Sequence, residues 1–149
     1  MIINKEGDIF NGNEDMICHQ VNCLGIMGGG IASKIRKKFP QTYIHYNAIC
    51  KNKTPEELLG KVLFYSENNR TIANCFGQAS IGTSEVQTDY EKLEQCLKKV
   101  EKDAWKRHLT VAIPYKIGCG LAGGDWNIVE KMIKDIFENS PVVLTIYKL

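Results

Sequence analysis

The chain has 149 residues, of which 44% are hydrophobic and 24% charged, and its formal net charge at pH 7 is +2. These values predict one globular domain (residues 1–149) that is long enough to bury a substantial core. The small net charge argues against a protein that binds nucleic acid or an anionic membrane surface. No apolar run approaches the roughly 18 residues of a membrane span, and the charged N-terminal segment does not resemble a signal peptide.

The first half of the chain alternates between strand and helix patterns. Residues 16–21 (MICHQV) predict a strand. Residues 30–39 predict a helix, because Ile31, Ile35 and Phe39 recur at a spacing of four. Pro40 ends this pattern, and a second helix is predicted over residues 41–50.

The second half begins with a predicted hairpin formed by residues 61–66 and 71–76. A long helix follows, for which Thr88 and Glu91 fit the two positions of a capping box. Three further elements complete the chain: a strand over residues 109–113, a helix that Asp125 caps, and a β-branched strand over residues 142–149.

This alternation predicts an α/β fold with a central mixed, mostly parallel sheet and helices on both faces. Ligands of such sheets bind at the loops that follow the carboxyl ends of the strands. Three loops fit that position: residues 7–10, 22–30 and 117–124.

Two of these loops are rich in glycine and lie between a strand and a helix. Backbone N–H groups beside a helix N-terminus suit phosphate, and two such loops suit a diphosphate. The alternative is that the glycines serve only tight turns and helix caps. Neither loop matches the P-loop or the dinucleotide-binding fingerprint, so another fold is indicated.

His19 and Asn22 precede the first of these loops and are the candidate catalytic residues. His19 could act as a general acid, a general base or a nucleophile toward phosphorus, and Asn22 could bind sugar hydroxyls. The alternative for His19 is a hydrogen-bonded histidine without catalytic function.

The six cysteines contain no C-x-x-C pair and lie mostly in apolar runs. We interpret them as free thiols of a reducing, cytoplasmic compartment. Cys18, His19 and Cys23 lack a fourth ligand for zinc, so neither a metal site nor a cofactor is predicted.

The blocks HQVNCLGIMGGGIASKIRKKFP and IPYKIGCGLAGGDW, with the N-terminal Gly-Asp-Ile and the closing LTIYKL, resemble the macro domain, an ADP-ribose-binding module. The resemblance covers essentially the whole chain. It is strongest to the branch that holds ADP-ribose-1″-phosphate phosphatases, terminal ADP-ribose protein glycohydrolases and chromatin-remodeller macro domains. It implies a three-layer α/β/α fold, and we expect a monomer.

The resemblance also implies the ligand contacts. Asp8 would accept a hydrogen bond from the adenine amino group, Asn22 would contact the distal ribose, and Tyr147 would pack against adenine. The predicted ADP-ribose-binding set comprises Gly7, Asp8, Ile9, Asn22, Met27, Gly28, Gly29, Gly30, Ile31, Ile117, Gly118, Cys119, Gly120, Leu121, Ala122, Gly123 and Tyr147.

Two positions depart from the terminal glycohydrolases of that branch. In the resemblance, Gln78 stands where those enzymes have a lysine, and Ala122 stands where they have an aspartate. Glutamine forms no Schiff base and alanine accepts no proton, so the lysyl mechanism is not expected. The His-x-x-Asn pattern at residues 19–22 matches the phosphatase-like members instead.

Three functional hypotheses follow. The first is a hydrolase that acts on an ADP-ribose derivative at the distal ribose, such as the 1″-phosphate, the acetyl ester or an ADP-ribosylated macromolecule. The second is an ADP-ribose reader without catalytic activity. The third, a nucleic-acid-binding module, rests on the basic run of residues 34–38, which a solvated helix face explains better.

Overall fold

The structure, a computed structural model, describes every residue from 1 to 149. Six strands form one sheet: β1 (Ile2–Glu6), β2 (Met16–Val21), β3 (Val62–Glu67), β4 (Arg70–Phe76), β5 (Val111–Pro114) and β6 (Leu144–Lys148). Five helices cover it: α1 (Gly30–Lys38), α2 (Pro40–Asn52), α3 (Pro55–Leu58), α4 (Tyr90–Arg107) and α5 (Trp126–Phe137). None of them combines the length and the apolar character needed to cross a bilayer.

The sheet has the strand order β1-β6-β5-β2-β4-β3. All neighbouring strands run parallel except the hairpin pair β3 and β4. The predicted mixed, mostly parallel sheet and the hairpin are therefore confirmed. Because five strands point the same way, their carboxyl ends and the loops that follow them meet at one edge.

Strand alternation divides the core into two layers. On β2, Met16 and Cys18 join the cluster that packs under α4 and α5, whereas Ile17 and Val21 join the cluster under α1 and α2. Side chains of successive strand residues point to opposite faces, so one buried strand serves both layers. This arrangement confirms the predicted helices on both faces of the sheet.

Two details of the predicted elements differ from the structure. The sequence patterns do not predict the short helix α3, which a capping box at Thr54 and Glu57 stabilises. The N-cap of α4 is Asp89, whose carboxylate accepts from the Lys92 N–H at 3.1 Å, and not Thr88. Thr88 is buried, and its hydroxyl donates to the Gly118 carbonyl at 2.6 Å instead. The Thr88 side chain therefore binds the loop at Gly118, although the local sequence pattern predicts that it caps α4.

This reassignment yields a stability prediction. We expect Asp89→Ala to lower the free energy of unfolding by about 1 kcal/mol, since the Lys92 N–H loses its acceptor. Glu91→Ala is the matched control, because the Glu91 side chain forms no hydrogen bond, and its effect should be less than half as large. Urea unfolding at pH 7 measures both values. A larger loss of unfolding free energy from Glu91→Ala would show that Thr88 and Glu91 form the capping box after all.

Candidate ligand-binding cleft

A cleft of about 490 Å³ opens at the carboxyl edge of the parallel strands. Its walls come from three segments that follow β2, β4 and β5, and the strand ends form its floor. The lining residues are Gln20, Val21, Asn22, Ile26, Gly28, Gly29, Gly30, Ile31, Ala32, Gln78, Ile81, Gly82, Thr83, Pro114, Tyr115, Lys116, Ile117, Gly118, Gly120, Leu121 and Ala122.

Asn22 organises the first glycine-rich loop. Its side-chain oxygen accepts from the Leu24 N–H at 3.0 Å and from the Tyr46 hydroxyl at 2.8 Å, and its Nδ2 donates to the Ile26 carbonyl at 2.8 Å. The residue is buried, yet it lies on the cleft wall. An amide nitrogen has two N–H donors, so one N–H of Asn22 has no partner in the protein.

The backbone amides of residues 28–32 donate to no acceptor in the protein. They belong to the cleft wall and lead into the first turn of α1. Gly30 has φ +56, a left-handed backbone conformation that residues with a side chain rarely adopt. These donors and the helix dipole together form a binding surface for an anion.

The second glycine-rich loop presents a similar surface. The amides of residues 120–122 also lack an acceptor in the protein. Gly118, at φ +73, is held from two sides, because its carbonyl accepts from the Thr88 hydroxyl and from the Gly124 N–H at 2.9 Å. The loop is therefore fixed by its neighbours while its outward amides stay free.

The two loops meet across the cleft. The Leu121 side chain is 67% exposed, and a Cβ built on Gly29 would lie 2.7 Å from its Cδ1. This contact shows that the two glycine-rich loops approach each other across one cleft.

Residues 78–83 form a third wall that the sequence analysis missed. Gln20 donates to the Gln78 side-chain oxygen at 2.8 Å and to the Thr88 hydroxyl at 3.0 Å, while Gln78 donates to the Ser80 carbonyl at 2.8 Å. Strand alternation predicts that Gln20 and His19 point to opposite faces of the sheet. No local sequence pattern indicates that Gln20 pairs with Gln78, because the two residues are 58 positions apart.

Tyr115 and Lys116 complete the wall after β5 and were also missed. The Lys116 and Lys148 ammonium groups lie 5.6 and 4.9 Å from the centroid of the Tyr115 ring. Lys116 is the one cationic residue of the cleft lining, and its backbone is in the left-handed region, with φ +61. Its ammonium group adds positive potential to the amide surfaces.

His19 lies outside the cleft, which corrects its predicted placement. The side chain is fully buried, and its Nε2 lies 2.7 Å from Asn74 Oδ1, so the neutral ring donates there. Burial lowers the pKa of His19 to about 4, although the bond to Asn74 opposes this shift. In this structure the side chain therefore lies apart from the cleft lining, and its contact with the reacting atoms stays a prediction.

Tyr147 also differs from its predicted placement. It is 7% exposed, and its hydroxyl lies 2.9 Å from each carboxylate oxygen of Glu14. The hydroxyl is used inside the protein, and the ring does not line the cleft. Packing of this ring against adenine stays a prediction.

The remaining predicted residues divide into two groups. Asn22, residues 28–31, Ile117, Gly118 and residues 120–122 lie on the cleft wall, as predicted. Gly7, Asp8, Ile9, Met27, Cys119 and Gly123 do not line it. Asp8 follows β1, two strands from β5 along the same edge, and its carboxylate accepts from the Phe10 N–H at 2.9 Å.

The chemistry of the lining is that of a binding surface. It contains amide side chains, backbone N–H groups, Tyr115 and Lys116, but no histidine, aspartate, glutamate or cysteine. Burial raises the pKa of the nearby Cys119 thiol to about 11, which leaves it protonated at neutral pH. The cleft can hold an anion and a sugar, and Tyr115 and Lys116 are the side chains of its lining that could transfer a proton.

Comparison with known proteins places this cleft in context. The sequence model of the macro domain family matches residues 18–133. The chain is 29% identical to the ADP-ribose 1″-phosphate phosphatase of Candida albicans, over 93% of this chain and 95% of that protein.

Two further comparisons concern Thermosipho africanus. The chain is 25% identical to its DNA ADP-ribosyl transferase-DNA ADP-ribosyl glycohydrolase fusion protein over 95% of this chain, but it spans only 40% of that protein. The structure of Thermosipho africanus DarTG in complex with ADP-ribose matches with a TM-score of 0.77 at 25% identity. That match covers 97% of this chain and 41% of the other.

The buried His19 predicts a pH dependence of stability. The unfolded chain takes up the imidazole proton near pH 6.5, whereas the folded chain takes it up only near pH 4. The His19 contribution is therefore constant above pH 6.5 and decreases as the pH falls to 4, by about 1.4 kcal/mol per pH unit and about 3 kcal/mol in all.

His19→Gln isolates this contribution, because glutamine can still donate to Asn74 but does not titrate. We expect the difference in unfolding free energy between pH 7 and pH 4.5 to be smaller in the variant than in the wild type. Urea unfolding over that range measures both. Equal pH dependence in the two proteins would show that folding does not lower the pKa of His19.

Proposed function

Because this chain belongs to the macro domain family, we propose that it binds ADP-ribose in the cleft and hydrolyses an ADP-ribose derivative at the distal ribose. One observation carries the proposal. The free amides of residues 28–32 and 120–122 face a common cleft of about 490 Å³. Two adjacent phosphates match two adjacent sets of N–H donors, and the volume is in the range of small-molecule sites.

The floor of the cleft suits the distal ribose. Asn22 has one unused N–H, and Gln20 and Gln78 hold each other in fixed positions beside it. Amide groups both donate and accept, so they match the hydroxyls of a sugar. Positions fixed by hydrogen bonds within the protein lower the entropic cost of binding.

Asp8 is proposed to recognise the adenine amino group. The Phe10 N–H occupies one of its carboxylate oxygens, and the other oxygen has no partner in the protein. Asp8 follows β1 at the same edge as the cleft, beyond β6 and β5. An extended ligand with its diphosphate on the glycine loops would direct its base toward this end.

The reaction we propose is hydrolysis of ADP-ribose-1″-phosphate to ADP-ribose and inorganic phosphate. The relative that matches along 95% of its own length carries the name of this activity. Since the cleft lining contains no histidine or carboxylate, a diphosphate oxygen of the substrate would orient the attacking water. The protein would contribute placement of the substrate and N–H donors that stabilise developing negative charge.

A second candidate function is an ADP-ribose reader without turnover. The composition of the lining favours it, because the lining contains no histidine, carboxylate or thiol. The relatives from Thermosipho africanus leave a further possibility for the leaving group, namely a nucleotide.

A substrate panel separates these functions. We expect calorimetry to detect ADP-ribose binding and phosphate release to be observed from ADP-ribose-1″-phosphate. The acetyl ester and protein- or DNA-linked ADP-ribose complete the panel. Binding without turnover of any substrate would establish the reader, and absence of ADP-ribose binding would overturn the proposal.

Gly30 provides a direct test of the amide surface. Gly30→Ala forces a side chain into the left-handed region, at a cost of about 1–2 kcal/mol, and turns the free amides away from the phosphate. We expect the affinity for ADP-ribose to fall by about tenfold or more. Gly60→Ala is the control, because Gly60 has φ +84 but does not line the cleft. It should reduce stability and leave the affinity unchanged, and equal losses of affinity would contradict the assignment.

A further inference from the structure

A buried group of three polar side chains lies beneath the segment that carries Asp8. Arg70, the first residue of β4, donates from Nε to the Glu14 carbonyl at 2.9 Å. Its Nη1 lies 3.4 Å from the carbonyls of both Ile9 and Phe10. One guanidinium therefore holds three backbone carbonyls of residues 9–14.

Glu14 joins this guanidinium to Tyr147 of β6. Its Oε1 lies 3.8 Å from Arg70 Nη2, and both of its carboxylate oxygens lie 2.9 Å from the Tyr147 hydroxyl. The Arg70 and Glu14 side chains are 13% and 9% exposed. A side chain at Gly12 would collide with the Tyr147 hydroxyl, so the segment lies directly against this group.

The group reaches Asp8 through one residue. Phe10, whose carbonyl Arg70 holds, donates its own N–H to the Asp8 carboxylate. The Asp8 carbonyl accepts in turn from the Asn11 N–H at 3.0 Å. A shift of residues 9–11 would therefore move the carboxylate of Asp8.

A buried ion pair contributes little net stability in general, because desolvation offsets the attraction of the charges. Its geometric effect is different, since the planar guanidinium donates in fixed directions. The guanidinium donates to three carbonyls and lies beside one carboxylate without a hydrogen bond from Nη2, so this arrangement determines the path of the segment more than its stability.

We propose that Arg70, Glu14 and Tyr147 act as positioning residues that set the recognition of the adenine base through Asp8. The inference rests on the proposed binding of ADP-ribose. None of the three needs to touch the ligand, because they act on residues 9–11. The structure thereby assigns a function to a charged group that lies outside the cleft.

Tyr147→Phe tests the proposal, because it removes only the hydroxyl and keeps the ring. Two ligands are compared by calorimetry: ADP-ribose and inosine diphosphate ribose, which has a carbonyl in place of the adenine amino group. The wild type should bind ADP-ribose more tightly, since the Asp8 carboxylate accepts from an amino group and repels a carbonyl. We expect the variant to lose about five- to tenfold of affinity for ADP-ribose and little for the inosine analogue.

Tyr46→Phe is the matched control. It also removes a buried hydroxyl, but that hydroxyl donates to Asn22 on the first glycine loop. It should lower the affinity for both ligands by the same factor and preserve the ratio of the two affinities. Arg70→Lys, which keeps the charge and loses the forked donors, should reduce the ratio as Tyr147→Phe does, and it provides a second measurement if one variant is poorly folded.

The outcomes separate the two proposals. If the wild type fails to bind ADP-ribose, the proposed function is wrong. If the wild type binds and discriminates, but Tyr147→Phe and Arg70→Lys leave the ratio of the two affinities unchanged, only the positioning group is wrong. An equal loss of affinity for both ligands in these variants would likewise show that the group only stabilises the structure and does not set adenine recognition.

Discussion

Backbone amides without acceptors are the feature on which the rest of the structure depends. Residues 28–32 and 120–122 expose N–H groups that no carbonyl or side chain of the protein satisfies. Such groups are tolerated where water or a ligand reaches them, which here means the carboxyl edge of a mostly parallel sheet. The parallel order of β5, β2 and β4 brings the loops to that edge, and the helix that follows each loop adds its dipole.

Keeping these amides free requires that other groups hold the loops. Asn22 binds the first loop from within, and Thr88 binds the second through the Gly118 carbonyl. Gln20 then connects Thr88 to Gln78 and joins the second loop to the third wall. The polar side chains around the cleft therefore serve mainly to fix the backbone, and the backbone presents the donors.

The fold and the two glycine loops were predictable because their signals are local. Helical spacing, β-branched runs and clustered glycines are read from nearby residues, and the predicted fold is confirmed. The errors concern side chains whose partners lie far away in sequence. Thr88 fits a capping box with Glu91 but bonds to Gly118, and Gln20 pairs with a residue 58 positions later. His19 follows the same rule, since its partner Asn74 becomes its neighbour only when β2 pairs with β4.

The burial of His19 also bears on the proposed hydrolysis. The imidazole donates to Asn74 inside the protein, and burial lowers its pKa to about 4. The cleft then resembles an arrangement in which the protein supplies position and N–H donors while the ligand supplies its own charged oxygens. In such a site, precision of placement determines the rate, because a small displacement of the reacting atoms is costly. Groups that hold the backbone at a distance, such as Arg70 beneath residues 9–14, then become as important to function as the residues that line the cleft.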